Sequence, residues 1–108
     1  MDKADLDQLD GLAAQATPGP WFVRLLDDAH AMSAVVVATT ADTEGGKSMR
    51  AGEWPSREVV AACLLQAPPY VVPGDDRYDE NAALIAAMRN ALPELLRLAR
   101  LGLAAKRP

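Results

Sequence analysis

Residues 79–106, DENAALIAAMRNALPELLRLARLGLAAK, decide the fold. They are the longest stretch of the chain with a clear period. Ile85, Met88, Leu92, Leu95, Leu96, Ala99 and Leu103 recur at steps of 3, 4, 3, 1, 3 and 4, the spacing of one face of an amphipathic helix. Pro93 lies inside this pattern. It has no N–H for the carbonyl of residue 89 and its ring crowds that carbonyl, so the sequence predicts a long helix with a kink or break near Asn90–Leu92. After Pro93 the acid comes early (Glu94) and the bases late, which suits the helix dipole. Leu98 and Leu101 fall off the main face and are available to cover a sheet edge or a second subunit. Arg89, Arg97 and Arg100 flank the apolar stripe and read as a solvated flank or as a surface for an acidic partner.

Working outward, Asp75, Asp76, Asp79 and Glu80 stand just before this helix. Capping by Asp76 or Asp79 and compensation of the dipole account for them. A hard cation is the alternative, but the alternating ligands and the glycine of a calcium loop are missing. Residues 58–66, EVVAACLLQ, read as a short strand ending at Pro68-Pro69; the alternative is a helix capped by Ser56. Tyr70-Val71-Val72 extends or restarts that strand. Residues 33–40, SAVVVATT, are apolar on both faces and predict a central strand. Residues 21–26, WFVRLL, alternate as a strand, with Trp21, Val23 and Leu25 on one side. At the start, residues 3–16 predict a short helix capped by Asp2, with Leu6, Leu9, Ala13 and Ala16 on its inner face. Thr17-Pro18-Gly19-Pro20 ends it in a rigid turn. The expected fold is a single α+β domain over 1–108, ordered α-β-β-β-α. A three-stranded antiparallel sheet carries the N-terminal helix and the long kinked C-terminal helix on one face, and the opposite charges of the two helices suit a side-by-side arrangement, setting orientation more than stability.

The 108 residues suffice for one core. Five aromatic residues leave that core to Ala, Val and Leu. Net charge is −4 but uneven: residues 1–16 carry −3, residues 17–83 carry −5 and residues 84–108 carry +4. The acidic total makes nucleic acid an unlikely partner, while the basic end keeps an acidic protein partner open. No apolar run is long enough for a membrane span. The start MDKADLDQLD does not read as a signal peptide, and Cys63 is the sole cysteine, so the expected location is cytoplasmic.

Few residues suggest chemistry. Residues 41–57, ADTEGGKSMRAGEWPSR, predict a long polar loop, and 41–48 fit a relaxed phosphate-loop pattern with Lys47 and Ser48 in place. Asp42 and Glu44 would put negative charge inside that cradle, and Met-Arg-Ala-Gly-Glu-Trp-Pro behind it is a poor helix. A flexible loop is the simpler reading, with nucleotide binding the alternative. His30 is alone, so with the distant Cys63 it makes neither a zinc site nor a Cys-His dyad. Trp21 reads as a core anchor at a strand start, with a ligand platform as its alternative. No catalytic residue, metal or cofactor is expected.

Two stretches resemble a known family. Ala16-Thr17-Pro18-Gly19-Pro20-Trp21 after a short helix, and residues 79–96 with the patterns NA-x-L-IA (Asn81–Ala86) and A-x-P-x-LL (Ala91–Leu96), are similar to the Ead-like family of small phage and prophage accessory proteins. The likeness covers both ends, about a third of the chain. It implies a non-enzymatic accessory protein that binds a host factor, for example a defence-system protein. Pro18, Gly19, Pro20, Trp21 and Pro93 are then architecture. Binding falls to the central loop (Lys47, Arg50, Trp54) or to the basic helix (Arg97, Arg100). A homodimer through Leu98 and Leu101 is a further possibility.

Overall fold

The computed structural model describes residues 1–27, 33–41, 58–66 and 70–106. It contains a helix α1 (Lys3–Gln15), strands β1 (Phe22–Asp27), β2 (Ser33–Ala38) and β3 (Val59–Leu65), and a long helix α2 (Tyr78–Ala105). The α+β class and the order α-β-β-β-α are as expected, and residues 59–65 are strand rather than helix.

Helix α1 starts at a reciprocal cap. The Asp2 carboxylate accepts the Asp5 N–H at 3.0 Å and the Asp5 carboxylate accepts the Asp2 N–H at 2.9 Å, satisfying two donors that the first turn otherwise leaves open. It ends at Ala16, which is extended (φ −78, ψ 165) ahead of Thr17-Pro18. The Gly19–Pro20 peptide is cis.

Strand β2 lies between β1 and β3 and is antiparallel to both. Ala34 to Ala38 are all buried, which is why that segment is apolar on both faces. Pairing with β1 is regular, from Phe22↔Ala38 to Asp27↔Ser33. Pairing with β3 shifts register between Val35 and Val36 and again between Val37 and Ala38; such irregularities bend the strand and add twist. Tyr70–Val72 does not extend β3. Val71 alone returns to it, exchanging two hydrogen bonds with Leu65 at 3.0 Å each.

Helix α2 is the spine. On its first half Ala82 and Ala86 are buried against Val35, Val37 and Leu64, with Trp21, Val23, Ala61, Cys63, Tyr78 and Ile85 around them. Each fully buried Val or Leu here contributes about 1.5–3 kcal/mol. The small alanines set the helix close to the sheet, so Ala86→Leu would overfill the contact at a cost of about 1–3 kcal/mol. The second half of α2 carries α1. Among the described residues α1 touches α2 and no strand, so the two helices do not share a sheet face as the sequence suggested. The acidic side of α1 instead meets the far end of α2, where Arg100 lies 3.0 Å from Asp7 and 2.9 Å from Asp10. The molecule therefore extends over 63 × 27 × 22 Å, a sheet at one end and a two-helix arm at the other.

Three expectations about α2 need correction. The break foreseen near Asn90–Leu92 is absent, since the helix is continuous through Pro93. One missing N–H, at about 3 kcal/mol, is outweighed by docking on both sides, where Ala86 and Leu96 are buried. Neither Asp76 nor Asp79 caps it: the cap position is Arg77, with no side-chain cap bond. Asp75 accepts from the Arg77 backbone N–H and from its Nε, at 2.9 and 2.8 Å, while Asp79 and Glu80 occupy the first turn. Finally, Met88 and Leu95 are exposed, at 55% and 53%. The docked face runs instead through Ala82, Ala86, Arg89, Leu96, Arg100 and Leu103, all buried or half-buried.

The face of the sheet away from α2 holds Ala34 and Val36 with Val59, Ala62 and Leu65. Arg24, paired with Val36 in the register, is buried on that side. Its Nη1 donates to Glu58 Oε2 at 2.9 Å and to Thr40 Oγ1 at 3.0 Å, and the Thr40 hydroxyl donates to Glu58 at 2.6 Å. A buried guanidinium is tolerable only with such partners.

Candidate functional site

Two features of α2 gather the residues of interest. The first is the junction between the turn at Thr17–Trp21 and the helix at Arg89–Pro93. Asn90 accepts the Trp21 N–H and donates to the Trp21 carbonyl, both at 2.8 Å. Arg89 Nη2 donates to the carbonyls of Ala13 and Thr17, both at 3.1 Å. Its guanidinium carbon lies 5.3 Å from the centroid of the Trp21 ring, within cation–π range. The Trp21 indole N–H donates to the Thr17 carbonyl at 3.1 Å. Gly19 faces Asn90 closely, since a β-carbon there would lie 3.6 Å from Asn90 Oδ1. Gly19, Pro20, Arg89, Asn90 and Pro93 line an open notch of about 350 Å³. Almost every polar group there is occupied in holding the turn; Arg89 Nε is buried without a partner. The junction clamps rather than reacts.

This brings Gly19, Pro20 and Pro93 to one notch, with Trp21 held beside it by Arg89 and Asn90 and Pro18 next to Gly19 in the turn. Sequence reasoning put Arg89 on a solvated flank and gave Asn90 no role. The signal was available: Ala82, Ala86, Arg89, Pro93, Leu96, Arg100 and Leu103 step by 4, 3, 4, 3, 4 and 3. That stripe is obscured because larger apolar residues sit to one side of it.

The second feature is the outer face of α2. Leu84, Met88, Leu95, Leu98 and Leu101 are 50–58% exposed. With about half of each side chain exposed, Leu98 and Leu101 are not sealed beneath a sheet edge among the described residues. The proposed basic flank is smaller than the sequence suggested. Arg100 is committed to α1, and Arg97 pairs with Glu94 one turn back, its Nε 2.9 Å from Oε2. That contact holds the Glu94 carboxyl below its usual range. Lys47, Arg50 and Trp54, with the phosphate-loop pattern beyond Ala41, lie outside the described residues, as does His30.

Cys63 is half-buried in the main core, and burial pushes its thiol up from the usual value, which disfavours the nucleophilic thiolate. Beside it, Ala62, Val71–Gly74, Asn81, Leu84 and Ile85 border an open apolar groove of about 420 Å³. Among the described residues no group of three His, Cys, Asp or Glu side chains is placed to hold a metal ion, and no helix is long and apolar enough to cross a membrane. The chain matches no protein-family model, and no curated protein or solved structure matches it.

Proposed function

We propose that the chain is a non-enzymatic protein-binding module. One observation carries this reading: α2 is docked on one face and leaves Leu84, Met88, Leu95 and Leu98 about half exposed on the other. Soluble monomers seldom expose a continuous apolar strip, and such strips mark contact surfaces. The described polar residues near the Trp21 junction are engaged in structure, which leaves the apolar face as the feature with unused binding capacity. The likeness of the Ala16–Trp21 turn and the Asn81–Leu96 helix to Ead-like proteins adds the expectation of a phage or prophage accessory protein acting on a host factor.

The test is affinity capture from a bacterial host lysate, with captured proteins identified and re-tested in purified form. Wild type, Leu84→Glu/Met88→Glu and a variant lacking residues 42–53 would be compared. Loss of capture in the double variant alone supports binding through α2; loss only in the loop deletion moves the site to Lys47, Arg50 and Trp54. A nucleotide-dependent rise in thermal stability that Lys47→Ala abolishes would replace the reading with a ligand-binding one.

A further inference from the structure

The exposed positions on α2 have a spacing of their own. Leu84, Met88, Ala91, Leu95, Leu98 and Gly102 step by 4, 3, 4, 3 and 4, and all are exposed. This is a heptad seam, a spacing that suits pairing with a second helix. It lies on the opposite side of α2 from the docked stripe; among the described residues Val71–Gly74 share a groove with Leu84, and the whole seam stays exposed.

We infer that this seam pairs antiparallel with the same helix of a second copy. The inference rests on the protein-binding reading above and names the partner. Three observations favour a second copy in this orientation. Size complementarity is the first. Setting Leu95 against Ala91 of the second copy also sets Met88 against Leu98 and Leu84 against Gly102. In two of these three layers a large residue meets a small one, and Met88 with Leu98 fills the third, as interdigitating layers require. A parallel pair would set Ala91 on Ala91 and Gly102 on Gly102 and leave voids.

Charge is the second. Residues 75–80 hold four acids and one base, whereas Lys106 stands at the other end of α2 and falls opposite Glu80 of the second copy in this register. Antiparallel pairing brings the acidic start of each helix to the basic end of the other and opposes their dipoles. The third is Gly102. A β-carbon there would meet nothing within 4 Å, so no contact inside the chain requires a helix-weakening glycine. Close approach of Leu84 from a second copy does.

Light scattering on the intact chain, up to roughly 100 µM to cover a small interface, tests the pairing. Dimers are expected for wild type, with Leu95→Glu raising the dissociation constant at least about tenfold while helicity is kept. Gly102→Leu separates the register from general stickiness. It strengthens the helix and adds apolar surface, yet in this register it strikes Leu84 and weakens the dimer by a similar factor. Orientation is read by mild oxidation of Ala91→Cys chains, Leu95→Cys chains and their mixture. Antiparallel pairing cross-links the mixture well above either alone; parallel pairing does the reverse. A wild-type monomer, a tighter Gly102→Leu dimer or the parallel cross-linking pattern overturns the inference. Host capture that depends on Leu84 and Met88 in a monomeric protein would leave the binding reading standing without it.

Discussion

Asn90 holds Trp21 by both of its backbone groups, accepting from the N–H and donating to the carbonyl at 2.8 Å each. One side chain of α2 thus acts as a strand partner for the residue that opens the sheet. The contact fixes where the turn leaves the helical arm and where β1 begins. Asn90→Ala removes both bonds and should lower stability by about 1–3 kcal/mol in urea unfolding. Asn90→Asp keeps the acceptor but turns a donor into a repelling oxygen, so it should recover only part of the loss. A change within experimental error for Asn90→Ala would mean that water replaces the amide without cost.

Arg89 ties three elements at once: the end of α1 at Ala13, the turn at Thr17 and the Trp21 ring. A guanidinium can do this because it is planar and carries several donors; an ammonium cannot both stack and fork. Arg89→Lys should therefore behave as a loss, lowering stability by about 1 kcal/mol or more despite the conserved charge. Hydrogen exchange gives the more specific readout. Amides of α1 should exchange faster in the variant, and those of β2 should not change. Equal acceleration in both elements would show that Arg89 supports the whole fold rather than the arm.

The contrast between these two residues and the rest of α2 shows what the sequence made legible. The strands were readable because SAVVVA is apolar on both faces and can only be central. The first cap was readable because Asp2 and Asp5 have the right spacing. The partner of α1 was readable only in part: its acidic charge pointed to the basic end of α2, but Leu6 and Leu9 would suit a sheet or a helix equally. Only the Arg100 contacts with Asp7 and Asp10 distinguish them. In α2 the large apolar side chains misled. Burial there follows Ala82 and Ala86, which are small enough to approach the sheet, while Met88 and Leu95 stay outside. Periodicity finds a helix reliably but cannot tell which of two apolar stripes is docked. For the central loop, the residues read as ligand candidates, Lys47, Arg50 and Trp54, fall outside the described part of the chain.

Acid should loosen the arm before the sheet. The Asp7 carboxyl is held below its ordinary value of 3.8, first by the Lys3 ammonium one turn away and then by Arg100 across the interface. A carboxyl with a lowered folded value stabilises the fold above its unfolded value, and that contribution disappears as pH falls through the lower, folded one. The α1–α2 contact is thus fully supported above 3.8 and weakens below it. These charges are exposed, so salt should screen them as well. Hydrogen exchange of α1 measured between neutral pH and about pH 3 checks the point. Unchanged α1 protection in wild type, or an equal acid response in Arg100→Gln, would remove the ion pairs from the account.

Pro93 gives the last prediction. Helix α2 passes through it without interruption, although the Arg89 carbonyl loses its helical donor there. If the proline served only to interrupt the helix, Pro93→Ala would restore that bond and stabilise the chain by up to about 3 kcal/mol. Its ring, however, lines the same notch as Gly19, Pro20, Arg89 and Asn90, beside the turn that α2 clamps. The expected gain is therefore smaller, about 1 kcal/mol, because trimming the ring widens that notch as the hydrogen bond is gained. Combining Pro93→Ala with Asn90→Ala separates the two terms. Contact through the turn makes the pair non-additive, since residues sharing one partner couple. Strict additivity in urea unfolding would show that Pro93 acts on the helix backbone alone.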